Sequence, residues 1–200
     1  MTSDLSISVG FPFPPVDADY TSFVDGGIRV EIDGTALTQY TESNWDRIMY
    51  DKNGDEVTNS DEYVGMYLSF TLMHLKEAII RYSIGDIGRY EEVPAEIGAD
   101  EPFGCFVLSF CDGDDIRIAF QPITEEHRDF FSTRVAIGYA VSPRDLCEEL
   151  LTCYQDCFTY VDNYHGDESW NDPMWEAYEW SQNNIQDLQN VLDENSHFDD

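Results

Sequence analysis

Hydrophobic and polar residues alternate strictly in two segments near the N-terminus. Ser6 and Ser8 separate Leu5, Ile7 and Val9, while Arg29 and Glu31 separate Ile28, Val30 and Ile32. A period of two lines one face of a strand with apolar side chains. Phe11-Pro12-Phe13-Pro14-Pro15 ends the first strand, because proline supplies no ladder N–H. Asp33-Gly34 turns the second back toward Leu37 as a hairpin. Trp45 to Tyr50 reads as a further strand, followed by the polar stretch Asp51 to Glu62.

From about Glu62 to Ser83 the period becomes helical. Met66 or Leu68, Leu72, Leu75 and Ile79 make one stripe, and Phe70, Met73 and Ile80 leave the rest of the surface apolar too. A helix apolar nearly all round is expected to be buried, with His74 as a hydrogen-bonded core residue. Gly85 and Gly88 end it. Residues 103–110, 116–120 and 133–140 read as three strands of an antiparallel meander, the first two joined by Cys111 to Asp115. Ser142-Pro143-Arg144-Asp145 then opens a helix: a capping serine, proline at the first helical position, and an acid three residues after the cap. Leu146, Leu150, Cys153, Cys157 and Val161 line its inner side. A last helix runs from Asp172-Pro173 toward Leu192, with Met174, Tyr178, Ile185, Leu188 and Leu192 as its stripe. The expected architecture is one α+β domain over residues 1–194, with an antiparallel sheet of about five to seven strands packed by three main helices. Residues 195–200 are expected to fray as an acidic tail.

Charge changes the picture more than any motif. The chain has 41 Asp and Glu against 10 Lys and Arg, a formal net charge of −31 over 200 residues. Asp outnumbers Glu by 24 to 17, and the only lysines are Lys52 and Lys76. A folded chain of this mass exposes on the order of 9,600 Å², about one net charge per 310 Å². On a sphere of roughly 20 Å radius the self-repulsion is about 30 kcal/mol at 0.1 M salt and about 13 kcal/mol at 1 M. The unfolded chain is charged as well, so only part of that difference acts on folding. Even a fraction rivals a folding free energy of about 5–15 kcal/mol. The fold is therefore expected to need salt, and a halophile's cytoplasm is the expected setting. The sequence shows neither a secretion signal nor a segment long and apolar enough to span a bilayer. Five cysteines without a disulfide framework fit a reducing interior.

The acid is unevenly compensated. No Lys or Arg follows Arg144, leaving 15 acids unbalanced in the last 56 residues. Direct nucleic-acid binding is disfavoured, because no basic stripe exists to displace counterions. The one-sign tail instead admits a partner role, including imitation of DNA toward a basic protein.

Two candidate metal sites present themselves. Counted from Asp51, oxygen-bearing side chains at Asp51, Asn53, Asp55, Asn59 and Glu62 fall at positions 1, 3, 5, 9 and 12 of a calcium loop. Glu56 stands where the template needs glycine, and Asn53-Gly54 is itself a turn signal, so a solvated turn is the preferred reading. Cys147, Cys153, Cys157 and His165 lack the close knuckle spacing of zinc sites, and core packing is preferred for them. No activated-nucleophile motif or phosphate-binding glycine loop is present, and no cofactor is implied. A binding protein is preferred over an enzyme. The candidate partner surface is the acidic, aromatic part: Glu148, Glu149, Asp156, Tyr160, Tyr164, Trp170, Trp175, Glu176, Glu179 and Trp180. The competing reading is that these rings dock the last two helices on the sheet.

A strand-rich start, a central apolar helix, a three-strand meander and closing acidic helices resemble small acidic haloarchaeal proteins. In outline, over residues 5–163, the order is also similar to immunity proteins of polymorphic toxin systems. That resemblance implies a non-enzymatic protein that covers the active site of a cognate toxin. It rests on composition and element order and assigns no functional residues.

Overall fold

The computed structural model describes residues 3–15, 25–41, 47–65, 67–86, 91–96, 102–110, 115–133, 138–163 and 172–194. The N-terminal half holds β1 (Leu5–Gly10), β2 (Gly27–Ile32), β3 (Thr35–Ala36), β4 (Thr38–Tyr40), α1 (Leu68–Ser83) and β5 (Glu91–Glu96). Then follow β6 (Pro102–Phe110), β7 (Ile116–Pro122), β8 (Phe131–Thr133), β9 (Tyr139–Val141), α2 (Pro143–Asp162) and α3 (Asp172–Glu194).

β1 and β2 pair antiparallel, placing Leu5, Ile7 and Val9 beside Ile32, Val30 and Ile28. All six are buried, as their alternation predicts. Asp33 and Gly34 turn the chain into β3 with φ of 50° and 76°, the left-handed pair that a two-residue hairpin requires.

The strands do not join into the single sheet expected of them. Among the described residues they form three antiparallel sheets, β1-β2-β3, β4-β8 and β5-β6-β7-β9, none with more than four strands. Two causes divide them. Of the segment expected as one strand at 133–140, residues 134–137 lie outside the described residues, Thr133 belongs to β8, which pairs with β4, and Tyr139 and Ala140 belong to β9, which pairs with β7. The outer edge of β1 is closed mainly by groups other than a paired strand. Ser3 N–H donates to Ala140 O at 2.9 Å, and Ile7 meets side chains of α2. The meander of β6, β7 and β9 stands, with β5 added beside β6.

Two further expectations are corrected. Of the strand expected at 45–50, Trp45 and Asp46 lie outside the described residues, Arg47 to Met49 form no strand, and Tyr50 makes isolated bridges to Phe11, through two 2.9 Å bonds, and to Glu56. α1 begins at Leu68 rather than near Glu62, because Ser60–Glu62 form a 3-10 turn and Tyr63 and Val64 are then held extended. Val64 exchanges both backbone bonds with Ile28 at 2.9 Å. Gly65, at φ 103°, donates its N–H to Tyr40 Oη and accepts from Arg47 at its carbonyl. Nor is α1 buried all round. Leu68, Thr71, Leu72, Leu75, Ala78 and Ile79 face inward, while Phe70 and Met73 are exposed. His74 is half-buried, edge-on to Phe70, and its Nε2 has no hydrogen-bond partner among the described residues.

α2 opens as expected. Ser142 Oγ accepts from the N–H groups of Arg144 and Asp145 at 3.1 and 3.3 Å, with Pro143 in the first turn. Leu146, Leu150, Cys153, Cys157 and Val161 are all buried. The helix packs on β1, α1 and α3 together. Against it, α3 buries Ala177, Ser181, Asn184, Leu188 and Val191. The inward stripe is thus centred on small residues that let two backbones approach, and Ile185 and Leu192 flank it half-buried. Side chains from all three sheets and all three helices share one core cluster. No helix among the described residues is long and apolar enough to cross a membrane.

Candidate partner-binding surface

Fourfold periodicity gives α2 three working faces. Its inner face carries the cysteines. Cys147 Sγ donates to Leu188 O at 3.7 Å and Cys153 Sγ to Ile7 O at 3.6 Å. Burial pushes the Cys147 thiol up to about 12, and it drives Cys153 and Cys157 upward as well. Protonated thiols that donate to backbone carbonyls act as packing groups rather than as thiolate ligands. Cys105 is a further buried thiol, in no disulfide, while Cys111 and His165 lie outside the described residues.

The second face meets β1. Ile7 N–H donates to Glu149 Oε2 at 2.7 Å, so Glu149 and Cys153, one turn apart, satisfy both backbone groups of Ile7. Burial raises the Glu149 carboxyl above its ordinary value. The Ile7 bond opposes that shift, and Asp145, Asp4 and Glu148 reinforce it. Glu149 is thereby a fold-closing residue, not a free contact for a partner. Tyr160 is likewise taken inward. It is 2 % exposed, stacks on Phe11 at 3.8 Å and 8°, and donates its hydroxyl to Phe13 O at 2.8 Å. The sequence could not separate a core tyrosine from a surface one in so aromatic a segment.

The third face is polar. Glu148 pairs with Arg144 at 2.9 Å across one turn, and Asp156 pairs with Lys52. Lys52 O also accepts from Asn163 Nδ2 at 3.1 Å, which ties the 51–62 loop to the end of α2. Within that loop, Asp51 Oδ1 accepts from Asn53 N and Asp55 N at 2.8 and 3.0 Å. Gly54, at φ 88°, closes the turn on Asp51 O. Glu62 is bound by Arg29 at 2.7 Å, and Asn59 takes a left-handed conformation ahead of a single 3-10 turn. Asp51 and Glu62, the outer ligands of the calcium template, thus serve a turn and an ion pair. Among the described residues, no three His, Cys, Asp or Glu side chains converge as metal ligands.

What remains on the outside belongs mostly to α3. Trp175 is 52 % exposed and meets Tyr178 edge-on at 5.8 Å. Tyr178 packs on Phe158 of α2 at 4.7 Å. Glu176 and Glu179 are exposed beside them. Trp180 is half-buried and turned inward, its ring 5.1 Å from the buried Tyr154. Tyr164 and Trp170 lie outside the described residues, as does the 195–200 tail. Along the same side, Phe158, Gln182, Asn183, Ile185 and Gln186 line an open groove of about 460 Å³. Sequence reasoning passed over its floor. The available signal was the charge-free run Trp180 to Gln186, set between Glu179 and Asp187 in an otherwise acid-rich segment.

No protein-family model matches the chain, and no curated protein or solved structure matches it either.

Proposed function

We propose that this chain is an acidic, non-enzymatic binding protein of a salt-rich cytoplasm that neutralises another protein, a cognate toxin in its leading form. The contact runs along the outer side of α3 and the neighbouring edge of α2. One observation carries this reading: Trp175 stands half-exposed against Tyr178, which itself packs on Phe158, and Glu176 and Glu179 are exposed next to it along the helix. A large ring backed by other rings loses little freedom on contact, and it desolvates well at the centre of an interface. Glu148 and Asp156 lie outside that centre, since each already has a basic partner within the chain.

The test is capture at high salt. Tagged protein incubated in 2–3 M KCl with extract of its own source organism is expected to retain one stoichiometric partner. Recovery of the chain alone at every salt concentration counts against the reading. A basic nuclease as the partner would favour the form in which the carboxylates imitate a DNA backbone.

A further inference from the structure

We propose that the groove between α2 and α3 seats an amphipathic, basic helix of the partner, an inference that rests on the protein-binding reading above. The floor is unusual for this molecule. Gln182, Asn183 and Gln186 are exposed amides, Phe158 and Ile185 are half-buried, and no charge interrupts the run from Trp180 to Gln186. On a surface crowded with carboxylates, this strip can be desolvated without stripping water from an anion. Gln182 and Gln186 already donate within α3, to Tyr178 Oη at 3.2 Å and to Asn190 Oδ1 at 2.9 Å, so apolar side chains of a partner can cover them at reduced cost.

The rim sets the other half of the chemistry. Asp162, Glu176, Glu179 and Asp193 are all exposed around the two helices. Lys52 and Lys76 reach Asp156 and Asp187 of these helices, but among the described residues none of the four is in an ion pair. An apolar stripe flanked by Lys and Arg complements that arrangement, and the same two helices of a second copy do not, because α2 and α3 contain Arg144 as their sole base. From Trp175 to Gln186 the path along α3 is about 17 Å at 1.5 Å per residue. Three turns of helix span it, with apolar residues at i, i+4, i+7 and i+11 along Trp175, Phe158 and Ile185.

The experiment uses the full chain and two synthetic peptides of identical composition. One has leucines at i, i+4, i+7 and i+11 among Lys and Arg, and the other is scrambled. Calorimetry in 2 M KCl, where bare charge attraction is screened, is expected to show the striped peptide binding at least tenfold more tightly. Ile185→Glu should weaken it at least tenfold. Trp175→Ala, at an exposed position, should weaken it severalfold with an unchanged circular dichroism spectrum. Equal binding of both peptides, or indifference to both substitutions, overturns the proposal. So does a salt-stable dimer of the chain that Ile185→Glu dissolves, since the groove would then hold a second copy. A native partner whose capture survives both substitutions removes the groove but leaves the protein-binding reading intact. Absence of any native partner removes that reading itself.

Discussion

Glu149 offers the most exacting test, because one carboxylate is asked to do two opposed things. It accepts the Ile7 N–H at 2.7 Å, and burial beside Asp145, Asp4 and Glu148 makes its charge unfavourable. Glu149→Ala leaves a strand N–H without an acceptor, which costs about 1–3 kcal/mol. For a chain of this size that is a fall in Tm of about 2–12 °C. Glu149→Gln keeps a side-chain oxygen for Ile7 and removes the charge, so its stability should stay within about 1 kcal/mol of the parent at pH 7. The pH response follows from the direction of the shift. A carboxyl raised in the fold binds its proton more tightly there than when unfolded. The folded state is therefore penalised above the native pKa, and the penalty fades as pH falls toward the ordinary carboxylate value near 4.3. Between pH 7 and about pH 4.5 the parent should gain stability, and Glu149→Gln should gain less over the same interval. Denaturant melts of the three proteins in 2 M KCl at stepped pH provide the comparison. If Gln proves as damaging as Ala, or if all three share one pH slope, the account of this residue is wrong.

Four other outcomes are expected. Tyr154 is fully buried and its hydroxyl has no hydrogen-bond partner among the described residues. Tyr154→Phe should therefore leave Tm unchanged or raise it by about 2–4 °C, and a fall of that size contradicts the reading. A Cβ at Gly104 would sit 2.3 Å from Phe120 Cζ, in a ring cluster that includes Phe106 and Phe131. Gly104→Ala should cost about 1–3 kcal/mol by overpacking, measured by urea midpoint. Thermal midpoints should climb steadily as KCl is raised from 0.1 to 2 M, whereas a compact, heat-resistant fold in dilute buffer would defeat the charge argument. Cys105, Cys147, Cys153 and Cys157 should resist a thiol reagent until denaturant is added, so at most one of the five cysteines should react quickly in the native state.

Local chemistry was readable where one residue type serves one purpose. The alternation in β1 and β2, the Asp33-Gly34 turn, the Ser142 cap and the inner stripe of α2 all stand as the sequence predicts. Pairing was less readable, since alternation tells which face is buried but not which strand lies alongside. That is why the alternation places Thr133 in the meander, although it closes β8 and pairs with Thr38 of β4. In α3 the seam of Ala177, Ser181 and Asn184 escaped a search for apolar residues. The acid itself concealed the site: Glu149 at a strand edge, Glu62 on Arg29 and Glu179 in water have equivalent signatures in the sequence. Only tertiary contacts separate them.

The two lysines have a practical consequence. Lys52 joins the 51–62 loop to Asp156 of α2, and Lys76 reaches Asp187 of α3 from α1 at 2.7 Å. Reagents that acylate amines would therefore modify two internal fasteners before touching any other side chain. Coupling this molecule to a sensor chip through its amines, or fixing it with formaldehyde, would loosen the very helices that a binding assay is meant to present. A terminal affinity tag avoids that damage.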